Sequence, residues 1–104
     1  MFTELTEDNL GELLEQHPKV MVQFGATWCG NCKITKPKFK RLAEENPNIE
    51  FYYIDAEKFP ASREFALVSN LPTFAGFVKG NLVEQQQGNK VEVINEVLHA
   101  VTSH

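Results

Sequence analysis

Residues 20–25, V-M-V-Q-F-G, form a nearly continuous apolar run of strand length, and such a run has to be covered on both of its faces. A second run of this kind, E-F-Y-Y-I-D, occupies residues 50–55, and helix-period segments lie between and around the two. Phe2 to Leu5 reads as a short edge strand. Thr6 reads as the N-cap of a first helix, with Glu7 and Asp8 in the turn where the helix dipole favours acids and with Leu10, Leu13 and Leu14 on one stripe. His17-Pro18 ends that helix. A longer one follows residue 29, with Phe39, Leu42 and Ala43 on its apolar stripe and a kink expected at Pro37, and Asn46-Pro47-Asn48 closes it as a turn. A helix over residues 60–66 is expected to turn Phe65 and Ala66 inward. T-F-A-G-F-V at 73–78 and L-V-E-Q-Q-Q at 82–87 flank a K-G-N turn and read as an antiparallel hairpin. The last helix carries a cap-like Asn89 with Glu92 three residues on, and a stripe of Val91, Ile94, Leu98 and Val101. The order βαβαβαββα predicts an α/β fold: parallel strands from the alternating part, antiparallel ones from the hairpin, and helices on both faces of one mixed five-stranded sheet. At 104 residues, a single domain spanning 1–104 is expected.

Charge narrows the function classes. The formal net charge is −4, which argues against a nucleic-acid surface. Five of the ten basic residues (Lys33, Lys36, Lys38, Lys40 and Arg41) fall in the helix after the cysteines, where they read as a solvated face, with Lys33 and Lys36 close enough to raise the potential near the thiols. The opening M-F-T-E-L-T-E-D is acidic, and no apolar segment is long enough to span a membrane, so a cytoplasmic protein without a membrane or nucleic-acid partner is expected.

Both cysteines of the chain stand in T-W-C-G-N-C-K, residues 27–33, where the first long strand ends and a helix begins. At i and i+3 in a helical first turn two side chains share a face with Cβ atoms about 5 Å apart, close to the roughly 3.5–4.5 Å of a disulfide. A bond across so few residues removes little chain entropy, so it makes a poor structural staple. The helix N-terminus favours a thiolate on Cys29, which makes Cys29 the attacking sulfur turned toward solvent and Cys32, deeper in the helix, the resolving one. Gly30 leaves room for another backbone. Half of a zinc site is the competing reading, but His17, His99 and His104 supply no spaced pair, and no metal is expected. Redox chemistry is the reading that C-x-x-C near a βαβ pattern favours.

W-C-G-N-C-K with Pro37 beyond it, V-M-V-Q-F before it, N-L-P-T-F at 70–74, K-G-N-L-V at 79–83 and Gly88 together resemble the thioredoxin family, whose usual motif is W-C-G-P-C-K. The resemblance implies the thioredoxin fold and a protein disulfide reductase that works through a reversible Cys29–Cys32 disulfide with no bound cofactor. It further implies disulfide-containing protein substrates, a thioredoxin reductase as recycling partner, and a monomer. Trp28, Leu71, Pro72 and Gly88 would line the substrate groove, with Pro72 in the cis form and Leu71 offering backbone hydrogen bonds. Gly30, Asn31, Lys33 and Gln23 would tune the redox centre. Three positions depart from the pattern. Asn31 replaces a proline and restores a donor. Gln23 replaces a buried Asp, either as a hydrogen-bonded core amide or as a change in the resolving step. Gly25 replaces a larger residue, which predicts a more open site on that side. Two other functions stay in view: a groove that binds without turnover, against which the intact cysteine pair argues, and a mild thiol oxidant or isomerase, since direction depends on potential and compartment.

Overall fold

The computed structural model describes residues Met1–His104. The two apolar runs become neighbouring parallel strands, β2 (Lys19–Gly25) and β3 (Glu50–Asp55), with Val22 opposite Tyr52 and Gln23 opposite Tyr53. The edge strand β1 (Phe2–Glu4) adds in parallel to β3. On the other side β4 (Thr73–Val78) runs antiparallel to β2, and β5 (Asn81–Gln87) antiparallel to β4, giving the order β1-β3-β2-β4-β5. Lys79 and Gly80 both take positive φ (52° and 83°), the backbone hand that a tight hairpin turn needs. A register shift at Gly76/Phe77 places a bulge in the β4–β5 pair.

The strand period of two sorts the core. Val20, Val22 and Phe24 of β2 pack with Tyr52 and Ile54 of β3 and with Leu10 and Leu14 of helix α1 (Leu10–Gln16), in a cluster that also takes in Phe59 and Val68. Met21, on the opposite face, packs with Phe51, Phe74, Phe39 of helix α2 (Gly30–Glu45) and Ile94, Val97 and Val101 of helix α4 (Val91–Thr102). Both faces are covered, as the continuous apolar runs require. α2 runs on through Pro37, whose missing N–H falls on the carbonyl of exposed Lys33.

Helix ends differ from expectation, each for an identifiable reason. α1 starts at Leu10 with Asn9 at its N-cap, because an acid expected in its first turn is used elsewhere: the Asp8 carboxylate accepts the N–H groups of Ala61 (3.0 Å) and Ser62 (2.7 Å) at the start of helix α3 (Pro60–Arg63). Ser62 answers by accepting Leu10 N–H at 3.1 Å. α3 stops at Arg63 rather than Ala66, since the N–H groups of Glu64, Phe65 and Ala66 turn to carbonyls three residues back and Arg63 reaches the Val68 carbonyl (2.8 Å). Phe65 therefore lies 42% exposed, across Gly11, instead of inward. α4 is capped by the backbone at Lys90, with Asn89 turned away, and its buried stripe is Ile94, Val97 and Val101, leaving Val91 exposed.

Candidate functional site

β2 ends at Gly25 under the first turn of α2, and the chain between them forms the redox turn. Cys29 N–H donates to the Ala26 carbonyl (3.2 Å), which sets Cys29 as the N-cap of α2 with extended backbone (φ −86°, ψ 106°). Its sulfur is bonded to Cys32, with Cα atoms 5.3 Å apart, and it accepts the Cys32 N–H at 3.1 Å. The sulfur thus occupies the place of a capping oxygen at the positive end of a sixteen-residue helix, where anionic character is favoured. Cys29 is only 5% exposed and Cys32 fully buried. The expected solvent-facing Cys29 is corrected in this disulfide form: Ala26 and Leu71 pack against the pair.

Trp28, Leu71, Pro72 and Gly88 are the residues expected to line a substrate groove. The Leu71–Pro72 bond is cis, and the Pro72 carbonyl accepts Gly88 N–H (3.2 Å), joining the start of β4 to the end of β5. Trp28 projects outward, 66% exposed, with its indole N–H donated to Glu57 Oε1 (2.9 Å). Glu57 went unnoticed in the sequence; its turn is built by Asp55, whose Oδ1 accepts the N–H groups of Glu57 and Lys58 (3.0 Å each). Such an Asx turn is a readable local signal. Gln85 and Gln87 were also missed. Gln85 clasps both the N–H and the carbonyl of Leu67 (2.9 and 2.7 Å), while Gln87 accepts from Asn70 (3.1 Å) and donates to the Ser69 hydroxyl (3.0 Å). These amides hold the loop that carries Leu71 against β5. Asn89 donates to the Asn31 side-chain oxygen (3.2 Å), so the loop after Gly88 is tied to the redox turn itself. Gly30 is exposed, with nothing within 4 Å of where a Cβ would stand.

Beneath the turn lies Gln23, fully buried on the α2 side of β2. Its Nε2 donates to the Cys32 carbonyl (3.2 Å) and to Thr35 Oγ1 (2.9 Å), and Thr35 in turn donates to the Asn31 carbonyl (2.9 Å). Gln23 Oε1 has no hydrogen-bond partner. Gly25, expected to open one side of the site, does not: a Cβ there would overlap the Tyr53 hydroxyl and ring, so the volume a larger residue would fill is taken by Tyr53 from the neighbouring strand. Burial, and then the charges of Glu4 and Asp55, raise the Tyr53 phenol above its ordinary pKa. Lys36 lies 4.5 Å from that ring's centre and is ion-paired with Glu4. Lys33 and Lys36 line an open cavity of about 480 Å³, with Tyr53, Asp55 and Lys58.

No three His, Cys, Asp or Glu side chains gather to hold a metal ion, and no helix is long and apolar enough to cross a membrane. What the arrangement can do is thiol–disulfide exchange. It has a dithiol pair closed into a disulfide, an N–H donor on the Cys29 sulfur, Leu71 packed against the pair and an exposed Trp28 beside it in sequence.

The family model described as Thioredoxin matches residues 1–100. The chain is 39% identical to thioredoxin of Oryctolagus cuniculus over 83 residues (76% of this chain, 79% of that one), and 27% identical to thioredoxin H5 of Arabidopsis thaliana over 95 residues (91% and 80%). Its fold superposes on that of oxidised mitochondrial thioredoxin 3 from Saccharomyces cerevisiae with a TM-score of 0.84 at 26% identity, covering 99% of this chain and 95% of that one.

Proposed function

Since the chain belongs to the thioredoxin family and is a thiol–disulfide oxidoreductase with protein disulfide reductase activity, we propose that Cys29 is its attacking sulfur and Cys32 its resolving one. The observation that carries these roles is the Cys32 N–H held on Cys29 Sγ at the helix N-terminus, which favours a thiolate on Cys29 over one on Cys32. In the reduced protein the Cys29 thiolate attacks one sulfur of a substrate disulfide, and the other substrate sulfur leaves as a thiolate. Cys32 then gives up its proton, to the departing substrate thiolate, and attacks Cys29. The Cys29–Cys32 bond closes, and the second substrate sulfur leaves as a thiolate that takes a proton from solvent, giving the substrate dithiol. Gln23 cannot accept that proton as a carboxylate would, since an amide has no basic lone pair near neutral pH.

The substrates in this reading are disulfide-containing proteins. Their backbone pairs with Leu71 in the groove formed with Trp28, Pro72 and Gly88, while Gly30 gives it close approach. Asn31, Lys33 and Gln23 tune the couple. A thioredoxin reductase returns the disulfide to the dithiol, no cofactor is bound, and the protein acts as a monomer in the cytoplasm, in electron transfer and redox homeostasis. Insulin reduction driven by NADPH and a thioredoxin reductase tests this. Turnover that depends on both cysteines is expected, and its absence with an active reductase and an intact dithiol overturns the reading.

A further inference from the structure

The Gln23 amide can face only one way. The Cys32 carbonyl accepts and never donates, so the nitrogen must point to it; the Thr35 hydroxyl spends its hydrogen on the Asn31 carbonyl and is left as an acceptor, again for nitrogen. Oε1 is thereby turned to the remaining side of a fully buried group, with no donor. Buried acceptors are seldom left so, because desolvation without a hydrogen bond is costly.

The disulfide state has no hydrogen on either sulfur. Reduction adds two electrons and two protons, supplied by a dithiol that itself becomes a disulfide. One proton is carried on Cys32, which is fully buried and whose carbonyl the same amide already holds, and the other passes to solvent where Cys29 is a thiolate. A buried donor therefore appears, in one redox state only, on the residue whose backbone the unpaired amide already holds. Resting on the reversible Cys29–Cys32 couple read above, we propose that Gln23 Oε1 accepts the Cys32 S–H in the dithiol form. Gln23 then sorts the proton between the two sulfurs: the neutral thiol is held at Cys32 by the amide, and the thiolate is held at Cys29 by the Cys32 N–H. It also favours the dithiol over the disulfide, which has no such bond. A carboxylate at this position would act the other way, drawing the proton off Cys32.

Infrared spectroscopy of the S–H stretch tests the contact directly in a Cys29→Ala protein, where Cys32 is the only thiol. The band is expected at the lower frequency of a bonded S–H, and Gln23→Leu in the same background is expected to move it up to that of a free thiol. In the two-cysteine protein, Gln23→Leu is expected to shift the equilibrium with glutathione toward the disulfide, on the order of threefold, for a weak neutral hydrogen bond. An unmoved band or an unmoved equilibrium overturns the proposal; a water held on Oε1 in both redox states gives that result. Gln23→Met, which also lacks the acceptor, replaces the Leu variant if circular dichroism shows that the latter is unfolded. The S–H band does not depend on turnover, so a failed insulin assay with the expected band counts against the reductase reading and not against this contact.

Discussion

The two faces of β2 differ in kind. Toward α1 and α3 the strand presents Val20, Val22 and Phe24, all fully buried and purely apolar. Toward α2 and α4 it presents Met21, then Gln23, then Gly25: an apolar residue, an amide and no side chain, in the direction of the redox turn. One face is spent on packing from end to end. The other changes from packing to chemistry within six residues of Cys29, and its polar and missing side chains are accommodated by Thr35 from α2 and Tyr53 from β3.

Five experiments break or sharpen this contrast. The largest effect is expected where the second face reaches the disulfide: Cys29→Ala should abolish insulin reduction, while Cys32→Ala should still form one mixed disulfide with substrate, seen by mass spectrometry. Equal trapping by both variants would mean that the sulfurs are not distinguished as described. Next come the neighbours Phe24 and Gln23, adjacent in sequence and opposed in space. Phe24→Ala should lower unfolding stability in urea by about 3–5 kcal/mol. Gln23→Leu should stay within about 1 kcal/mol of the parent, because an apolar group replaces an amide with one orphaned atom. Comparable losses at the two positions would remove the distinction between the faces.

A smaller change is expected at Gly25. Gly25→Ala drives a methyl into the Tyr53 phenol and should cost about 1–3 kcal/mol, as overpacked cores do. Adding Tyr53→Leu should recover much of the loss, and a thermal melt that shows simple additivity of the two changes would deny their contact. Asn31→Pro removes a backbone N–H at the start of α2 and the bond to Asn89. Redox titration should show the potential falling by tens of millivolts, where about 30 mV corresponds to roughly 1.4 kcal/mol; a rise would reverse the assigned role of Asn31.

The smallest effect belongs to Asp8, far from the redox turn. The Ser62 hydroxyl, helped by the N–H groups of Ser62 and Ala61, holds the Asp8 carboxyl below its ordinary pKa against an opposing desolvation. A folded-state pKa below the unfolded one adds stability that is complete above the unfolded value of about 3.9 and is lost as pH falls through the folded one. Asp8→Asn should thus flatten the acid limb of the stability–pH curve, and an unchanged limb would show that the carboxylate contributes nothing there.

Strand runs, the cysteine pair at the strand–helix junction and the cis bond at Pro72 could be read from the sequence because each is a local pattern: an apolar run, a spacing of three, a proline after leucine. What escaped is carried by side chains that meet across long stretches of chain. Asp8 leaves its own helix to cap α3 at Ser62, 54 positions away; Asn89 abandons its helix for Asn31, 58 positions away; Glu57 holds Trp28 across 29. Capping rules look no further than four residues, so they assign Thr6 and Asn89 to the nearest helix. Tyr53 reads as one more apolar strand residue, and nothing near Gly25 in sequence says that the phenol will stand over it. The sixty-six residues before Leu67 likewise give no hint that an amide of β5 will clasp it.

That clasp bears on how molecules of this protein behave toward one another. An open sheet offers its outermost strands as templates for a neighbouring chain, and flat unguarded edges invite aggregation. Here one margin, β1, is only three residues long. At the other, β5 carries the bulge beside Gly76, and its Gln85 and Gln87 side chains bind the 67–70 loop alongside it. A bulged strand is twisted out of a regular ladder, and a loop fastened against it obstructs approach. The contacts that fasten the 67–70 loop thereby also shield that margin of the sheet.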